Sequence, residues 1–525
     1  AAEKRRRRKR GAFPDPDQRL FINPDVCEGC GDCGVQSNCV SLLPLETPLG
    51  RKRQIDQSSC NKDFSCVNGF CPSFATVSGG QLRRPAAQEL SIPDLPASAP
   101  CTLQGTYNVV VTGVGGTGVV TIGALLAMAA HLDGKAAGVM EMAGLAQKGG
   151  AVHIHCRIGE TPEDISAIRV ALGECDALIG GDLVVSAQGS TLGLMAPTGG
   201  AVVNSHEIIT GEFTRDTAFA IPGADLHLAL TARLQERVRL LNATRLAETA
   251  LGDTVYANMI LLGAAYQQGL LPLTQEALLE AIALNGAKVA QNQQAFALGR
   301  WAMVDADLDR KFERIEAPVQ DPEAARVAGL RAYGSGRSAR YEAMRRKLQG
   351  MEPDLRETAL QSYHKLLSYK DEYEVARLLQ ATKTQVAERF EGDYEISYHL
   401  APPLLAKKGP DGRPQKRSFG AWFDFVSQGL ARLRFLRETP LDPFGYSAER
   451  RMERQLIKDF ESLVARMLRE YEPARLEMWR ELLSLPLNIR GFGPVKLANA
   501  QAMQKRGVEL LTQLTLSHDT ERSAA

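Results

Sequence analysis

Apolar and polar positions follow two rhythms along this chain, and the change between them divides it. From Asn108 onward, short β-branched runs at residues 109–112, 137–142, 152–157, 177–179 and 201–204 are separated by stretches with helical spacing. Strands alternating with helices predict a parallel α/β sheet. Residues 258–268 and 274–290 then read as helices. Thr274 is placed to cap the second, with Glu276 and Glu280 early and Lys288 near the end to complement the dipole. Beyond about residue 304 charged and apolar residues alternate at helical spacing, as in 363–379 and 450–468, so the remainder is predicted mainly helical.

The stretch 107–130 carries no charge and is long enough to resemble a membrane span. Gly113, Gly115, Gly116, Gly118 and Gly123 interrupt it, however, and split it into strand, loop and helix. No apolar secretory core follows the basic start, so the expected location is cytoplasmic, with no membrane partner.

Composition adds size and class. A chain of 525 residues with 44% hydrophobic and 23% charged residues is globular and too long for one core. The divisions expected are a basic arm (1–20), a cysteine module (21–85), a Pro, Ala and Ser-rich linker (86–105), an α/β domain (106–303) and a mainly helical domain (304–525). Net charge is only +1, but residues 4–10 are seven consecutive Lys or Arg. A solvated tail is the plain reading of such a block.

Seven of the ten cysteines fall between Cys27 and Cys71. Cys27, Cys30 and Cys33 form C-x2-C-x2-C, with Gly29, Gly31 and Gly34 among them, and Cys71 is followed by Pro72. Three thiolates at that spacing converge on one cubane if the backbone curls around it, and a distant Cys-Pro supplies the fourth ligand in bacterial ferredoxins. A zinc knuckle would use two separated C-x2-C pairs, so the pattern favours a 4Fe-4S cluster. Cys39, Cys60 and Cys66 leave a second cluster open, since three thiolates need a further ligand. Cys101, Cys156 and Cys175 stand in apolar surroundings and read as core residues.

The run Gly113-Val114-Gly115-Gly116-Thr117-Gly118 follows a strand and opens an apolar helix, the context in which a glycine-rich turn can bind a phosphate. A second loop, Gly144 to Gly150, contains Gln147, Lys148 and Gly149. Both loops should lie at the C-terminal edge of the sheet, where open α/β sheets place ligands. Tight strand-to-helix packing or a subunit contact is favoured over NAD binding here.

The segments 26–39, 57–66 and 69–74 resemble the cluster region of the fused bacterial indolepyruvate:ferredoxin oxidoreductases. Residues 112–118 and 146–150 are similar to the gamma domain of 2-oxoacid:ferredoxin oxidoreductases, and 409–417, 439–446 and 490–496 to the C-terminal domain of the fused family. The resemblance implies a multi-domain α/β protein with a ferredoxin-like iron–sulfur module, a Rossmann-like gamma domain and a helical C-terminal domain. It implies oxidative decarboxylation of an aryl 2-oxoacid, with coenzyme A as co-substrate and electrons passed through 4Fe-4S to ferredoxin. Thiamine diphosphate and magnesium belong to domains with no signature in this sequence, so a thiamine-binding partner subunit or N-terminal half, in an oligomer, is expected to supply them. On that reading the chain is a subunit or fragment beginning at the basic run, and no catalytic residue is assigned. Two other classes stay open. One is an iron–sulfur protein that binds nucleic acid through residues 4–10, and the other an NAD- or flavin-linked reductase using the glycine turn.

Overall fold

The β-branched run from Asn108 becomes the strand Tyr107–Val114 inside a six-stranded sheet, and its interior residues are buried. The computed structural model describes residues 7–8, 11–39, 41–83, 91–98, 100–115, 117–143, 150–207, 219, 221–312, 321–402, 406–407, 409 and 413–524. In spatial order the sheet is Val238–Leu241, Met195–Asn204, Cys175–Gly180, Tyr107–Val114, Ala151–Gly159, Ala136–Ala143. The first four run parallel, as the alternation predicts. Ala151–Gly159 departs from that expectation and runs antiparallel to both neighbours. The physical reason is the connection before it, residues 144–150, which is far too short for the crossover that a parallel neighbour needs.

Helices cover the sheet. Ala257–Gln267 is apolar on nearly every side and almost wholly buried, as a helix inside a core must be. Thr274 caps Gln275–Leu284 as expected, its Oγ accepting from Ala277 N at 3.2 Å. The helix expected to reach residue 290 stops at Leu284, because Gly286 and Lys288 turn left-handed (φ 70° and 43°). Lys288 therefore precedes a new helix, Val289–Val304, rather than closing the old one. The linker is held by polar bonds despite its low apolar content: Ser98 Oγ donates to Tyr266 O at 2.9 Å and Arg300 donates to Pro96 O at 3.0 Å.

The chain divides into two compact units. One comprises 1–14, 58–61 and 84–316, and contains the six-stranded sheet; the other comprises 15–57, 62–83 and 317–525. The second unit is built on a four-stranded antiparallel sheet of Gln18–Ile22, Phe74–Ser78, Glu395–Leu400 and Arg417–Phe419, in that order. Cysteine segment and helical region thus share one sheet, where the sequence suggested separately folded pieces. Among the described residues three strands were hidden in the tail read as mainly helical: the last two of that sheet and the short Phe390–Glu391, which pairs with Gln81–Leu82. The helix expected over 363–379 is two, Pro353–Leu367 and Glu372–Leu379, while 450–468 lies inside Ala448–Glu470. Helices of this region, among them Leu476–Ser484, pack around the fully buried Trp479 with Phe460, Leu482 and Tyr363. Among the described residues no helix is long and apolar enough to cross a membrane.

Candidate functional site

The cysteine segment is the connection between two adjacent strands, closed at its mouth where Asn23 N donates to Ser73 O at 2.8 Å. Asn23 is fully buried and organises the entry. Its Oδ1 accepts from Asp25 N and Val26 N, its Nδ2 donates to Thr382 Oγ1 at 2.8 Å, and Cys27 N donates to its carbonyl. The glycines behave as the spacing requires. Gly29 and Gly31 take φ of 66° and 79°, curling the chain between Cys27, Cys30 and Cys33. Gly29 N also points at Cys27 Sγ, 3.3 Å away.

Electrostatics show which thiols lie within reach of one another. Burial first, then Cys71, Cys27 and Cys33, push the Cys30 thiol well above the ordinary range. Cys33 is raised by burial and by Cys27 and Cys71. Cys71 is pushed up to about 11 by burial and Cys27, against a hydrogen bond with Ser73 (Sγ to Oγ 2.9 Å) and the charge of Lys416. Four predicted ligands, Cys27, Cys30, Cys33 and Cys71, therefore share one neighbourhood. Cys66 also lies within electrostatic reach of Cys33. Cys39 follows the short helix Asp32–Ser37 and is half-buried, and Cys60 falls with the other unit. Cys156 and Cys175 are buried in the core as expected, whereas Cys101 is half-buried beside Tyr107.

Cations line this neighbourhood. Lys370 Nζ donates to Val26 O and Cys27 O at 3.1 and 3.2 Å and pairs with Glu28 Oε1 at 2.9 Å. Lys365 lies 3.6 Å from Glu28 Oε2. Burial opposes ionisation of Glu28, but Lys370, Lys365, Lys52 and Lys496 outweigh it and hold the carboxyl well below its usual range. Arg53 faces Cys33, Cys27 and Cys30. Burial lowers the Lys416 amine while Cys71, Cys33, Cys66 and Asp32 oppose that.

Among the described residues no three His, Cys, Asp or Glu side chains converge as one bound ion would require. A cubane asks for less convergence, since each thiolate binds a different iron. The donor set suits it: buried thiols that penalise one another's ionisation need added positive charge to become thiolates, and lysines and arginines already surround them.

The glycine edge of the α/β unit is a separate place. Gly113 is used for packing, because a Cβ there would meet Val119 Cγ1 at 2.5 Å. Gly118 has φ 88°, and Asn258 Nδ2 donates to the neighbouring Thr117 O at 2.8 Å. Gly115 N donates to Gly150 O at 2.8 Å, which joins the ends of the two loops. Gly116, Gln147, Lys148 and Gly149 lie outside the described residues, as do residues 4–6 and 9–10 of the basic arm.

Sequence reasoning missed a buried polar group beneath this edge. Thr112 pairs across the sheet with His153 and Gly180. Thr112 Oγ1 lies 2.9 Å from Ser186 Oγ, and His153 Nε2 lies 3.0 Å from Thr191 Oγ1. Asp182 caps the helix Leu183–Ser186 by accepting from Val185 N at 2.8 Å, and burial pushes its carboxyl up to about 6. The signal available was Gly180-Gly181-Asp182 directly after an apolar strand, a second Gly-rich strand end with an N-capping acid.

Comparison with known proteins separates the two regions. Residues 108–302 match the family described as pyruvate ferredoxin/flavodoxin oxidoreductase, and residues 320–509 match a family of unknown function. The indolepyruvate oxidoreductase subunit IorB of Archaeoglobus fulgidus is 31% identical over 180 residues, covering 33% of this chain and 83% of the relative. Its Thermococcus kodakarensis counterpart is 28% identical over 195 residues, 37% of this chain and 94% of that one. A keto/oxoacid ferredoxin oxidoreductase gamma subunit from Geobacter sulfurreducens PCA is 24% identical and covers 38% of this chain and 98% of that one, at a TM-score of 0.28 too low to carry an argument. The matched residues 108–302 lie in the α/β unit with its glycine edge, and by this match and the Archaeoglobus relative the chain belongs to the 2-oxoacid:ferredoxin oxidoreductase family.

Proposed function

We propose that this chain is the electron-transfer and scaffold portion of an indolepyruvate, or related aryl 2-oxoacid, ferredoxin oxidoreductase. One 4Fe-4S cluster is held by Cys27, Cys30, Cys33 and Cys71. The observation that carries the reading is the gathering of these four thiols in one buried, cation-lined neighbourhood, in a chain related to indolepyruvate oxidoreductase subunits. When bound, the cluster supplies single-electron acceptance and release. The protein's share is to bury it, to fix its ligands through Asn23 and Ser73, and to offset its negative charge with Lys370, Lys416 and Arg53.

A thiamine diphosphate and magnesium-binding partner supplies the decarboxylating site, coenzyme A takes the acyl group, and ferredoxin takes the electrons. The glycine edge, with Gly115 and Gly118, faces that partner or the coenzyme A path. Anaerobically purified protein should contain about four iron and four sulfide per chain, or about eight of each if Cys39, Cys60 and Cys66 hold a second cluster. Cys30→Ala should bleach the visible absorption of the first cluster. Stoichiometric zinc without labile sulfide would refute the reading, as would indolepyruvate turnover by this chain alone.

A further inference from the structure

Residues from the region of unknown function, which spans 320–509, form a second wall for the cysteine segment. Lys416, just before the strand Arg417–Phe419, donates from Nζ to Cys71 O at 3.1 Å, and its amine sits 4.9 Å from the centre of the Phe74 ring. Cys33 and Cys66 are within its electrostatic reach. Arg413 pairs with Asp32 at 3.4 Å, and Asp32 accepts from Phe70 N at 2.6 Å, one residue before Cys71. From the other side Gly491 turns left-handed (φ 103°), and a Cβ there would stand 3.3 Å from Cys30 Cβ and 2.8 Å from Val495 Cγ1. Gly493 is pressed against the Phe70 ring in the same way, at 2.5 Å. Residues 413–417 and 490–496, within segments noted in the sequence without a role, thus close on the cysteines from two directions.

We infer that the 320–509 region is a cluster-housing domain in which Gly491 gives Cys30 its room and Lys416 sets the reduction potential by holding a cation against Cys71. This rests on the reading that Cys27, Cys30, Cys33 and Cys71 carry a cluster. Reduction adds one negative charge to an already anionic group, so a fixed cation beside a ligand favours the reduced form and raises the potential. Lys416 is a positioning residue in this sense and need touch no substrate.

The test uses the full chain, purified anaerobically, as wild type, Lys416→Gln, Lys416→Arg and Gly491→Val. Iron and sulfide are assayed, and the midpoint potential is measured by dithionite titration followed by electron paramagnetic resonance. Lys416→Gln should keep its iron and titrate at a lower potential than wild type, while Lys416→Arg stays close to wild type. Loss of iron from Lys416→Gln but not from Lys416→Arg would also support the charge. Gly491→Val should lose iron, or change the resonance signal, while the far-ultraviolet spectrum is kept. Full iron with an unshifted potential in Lys416→Gln, or an unaltered signal in Gly491→Val, would overturn the inference and leave the cluster reading standing. Absence of iron and sulfide from wild type would overturn both.

Discussion

Glu28 sits between two predicted cluster ligands and is the acid on which four lysines converge, so removing its charge is a searching perturbation. At an effective dielectric of about 20, the 2.9 Å contact to Lys370 and the 3.6 Å contact to Lys365 correspond to attractions of about 6 and about 5 kcal/mol. Most of that offsets the desolvation of the groups, and breaking a buried pair from one side costs about 3 to 5 kcal/mol. The lower end applies here. Burial already pulls the Lys365 amine down to about 7, with Glu28 opposing that, so losing the carboxylate lets Lys365 shed its proton at neutral pH. Glu28→Gln should therefore cost about 3 kcal/mol, roughly a hundredfold in the folded ratio. Urea denaturation read by the visible absorption of the proposed cluster follows this unit, and tryptophan fluorescence recorded alongside covers both. The double variant Glu28→Gln, Lys370→Met should recover part of the loss, since the two sites are in contact. A cost below about 1 kcal/mol, or strictly additive effects in the double variant, would refute the electrostatic account.

Three further outcomes follow from other residues. Burial lowers His364 to about 3 from an ordinary 6.5, so the native state resists protonation where the unfolded chain accepts it. Its contribution is whole above pH 6.5 and is lost as pH falls toward about 3. His364→Gln should flatten the acid limb of the stability curve by up to about 1.4 kcal/mol per pH unit in that window. Asp182 has the opposite sign: raised from 3.8 to about 6, it destabilises the α/β unit as pH rises through that range. Asp182→Asn keeps the cap and removes the charge, so thermal melts at pH 7 should show a gain of at most about 3 kcal/mol, vanishing at pH 4. A Cβ on Gly263 would stand 1.9 Å from Phe296 O, so Gly263→Ala should force apart the helices Ala257–Gln267 and Val289–Val304 at a cost of about 3 kcal/mol or more, measured by thermal denaturation, with iron content unchanged.

How far the sequence carried depends on the kind of signal. That Cys27, Cys30, Cys33 and Cys71 come within electrostatic reach of one another was legible from a local spacing plus one distant Cys-Pro. The strand from Asn108 was legible because a strand buried on both faces reads as a near-continuous apolar run, here Val109 to Val111. Strand direction at Ala151–Gly159 was readable in principle, since a short connection forbids a crossover. Glu395–Leu400 was not, for a six-residue strand beside long amphipathic helices gives too few alternations to register. The lysine ring stayed hidden for a different reason. Lys52, Lys365, Lys370 and Lys496 are ordinary surface-type residues in sequence, and only the fold brings them to Glu28. The buried Asn23, which joins the first strand to Thr382, belongs to the same class of long-range fact.

The strand Phe74–Ser78 pairs on one side with Gln18–Ile22 and on the other with Glu395–Leu400. During synthesis the first pairing becomes available early, but the second must wait for more than three hundred further residues, among them nearly all of the other unit. Long-range pairings of this kind are slow to form, since loop closure comes before its reward. The cysteines are therefore translated long before the walls that bury them, and in the nascent chain they are exposed to oxygen, stray metals and each other. On the proposed cluster reading, iron and sulfide are best delivered after the later segments have been made, with the cysteine segment shielded until its walls arrive.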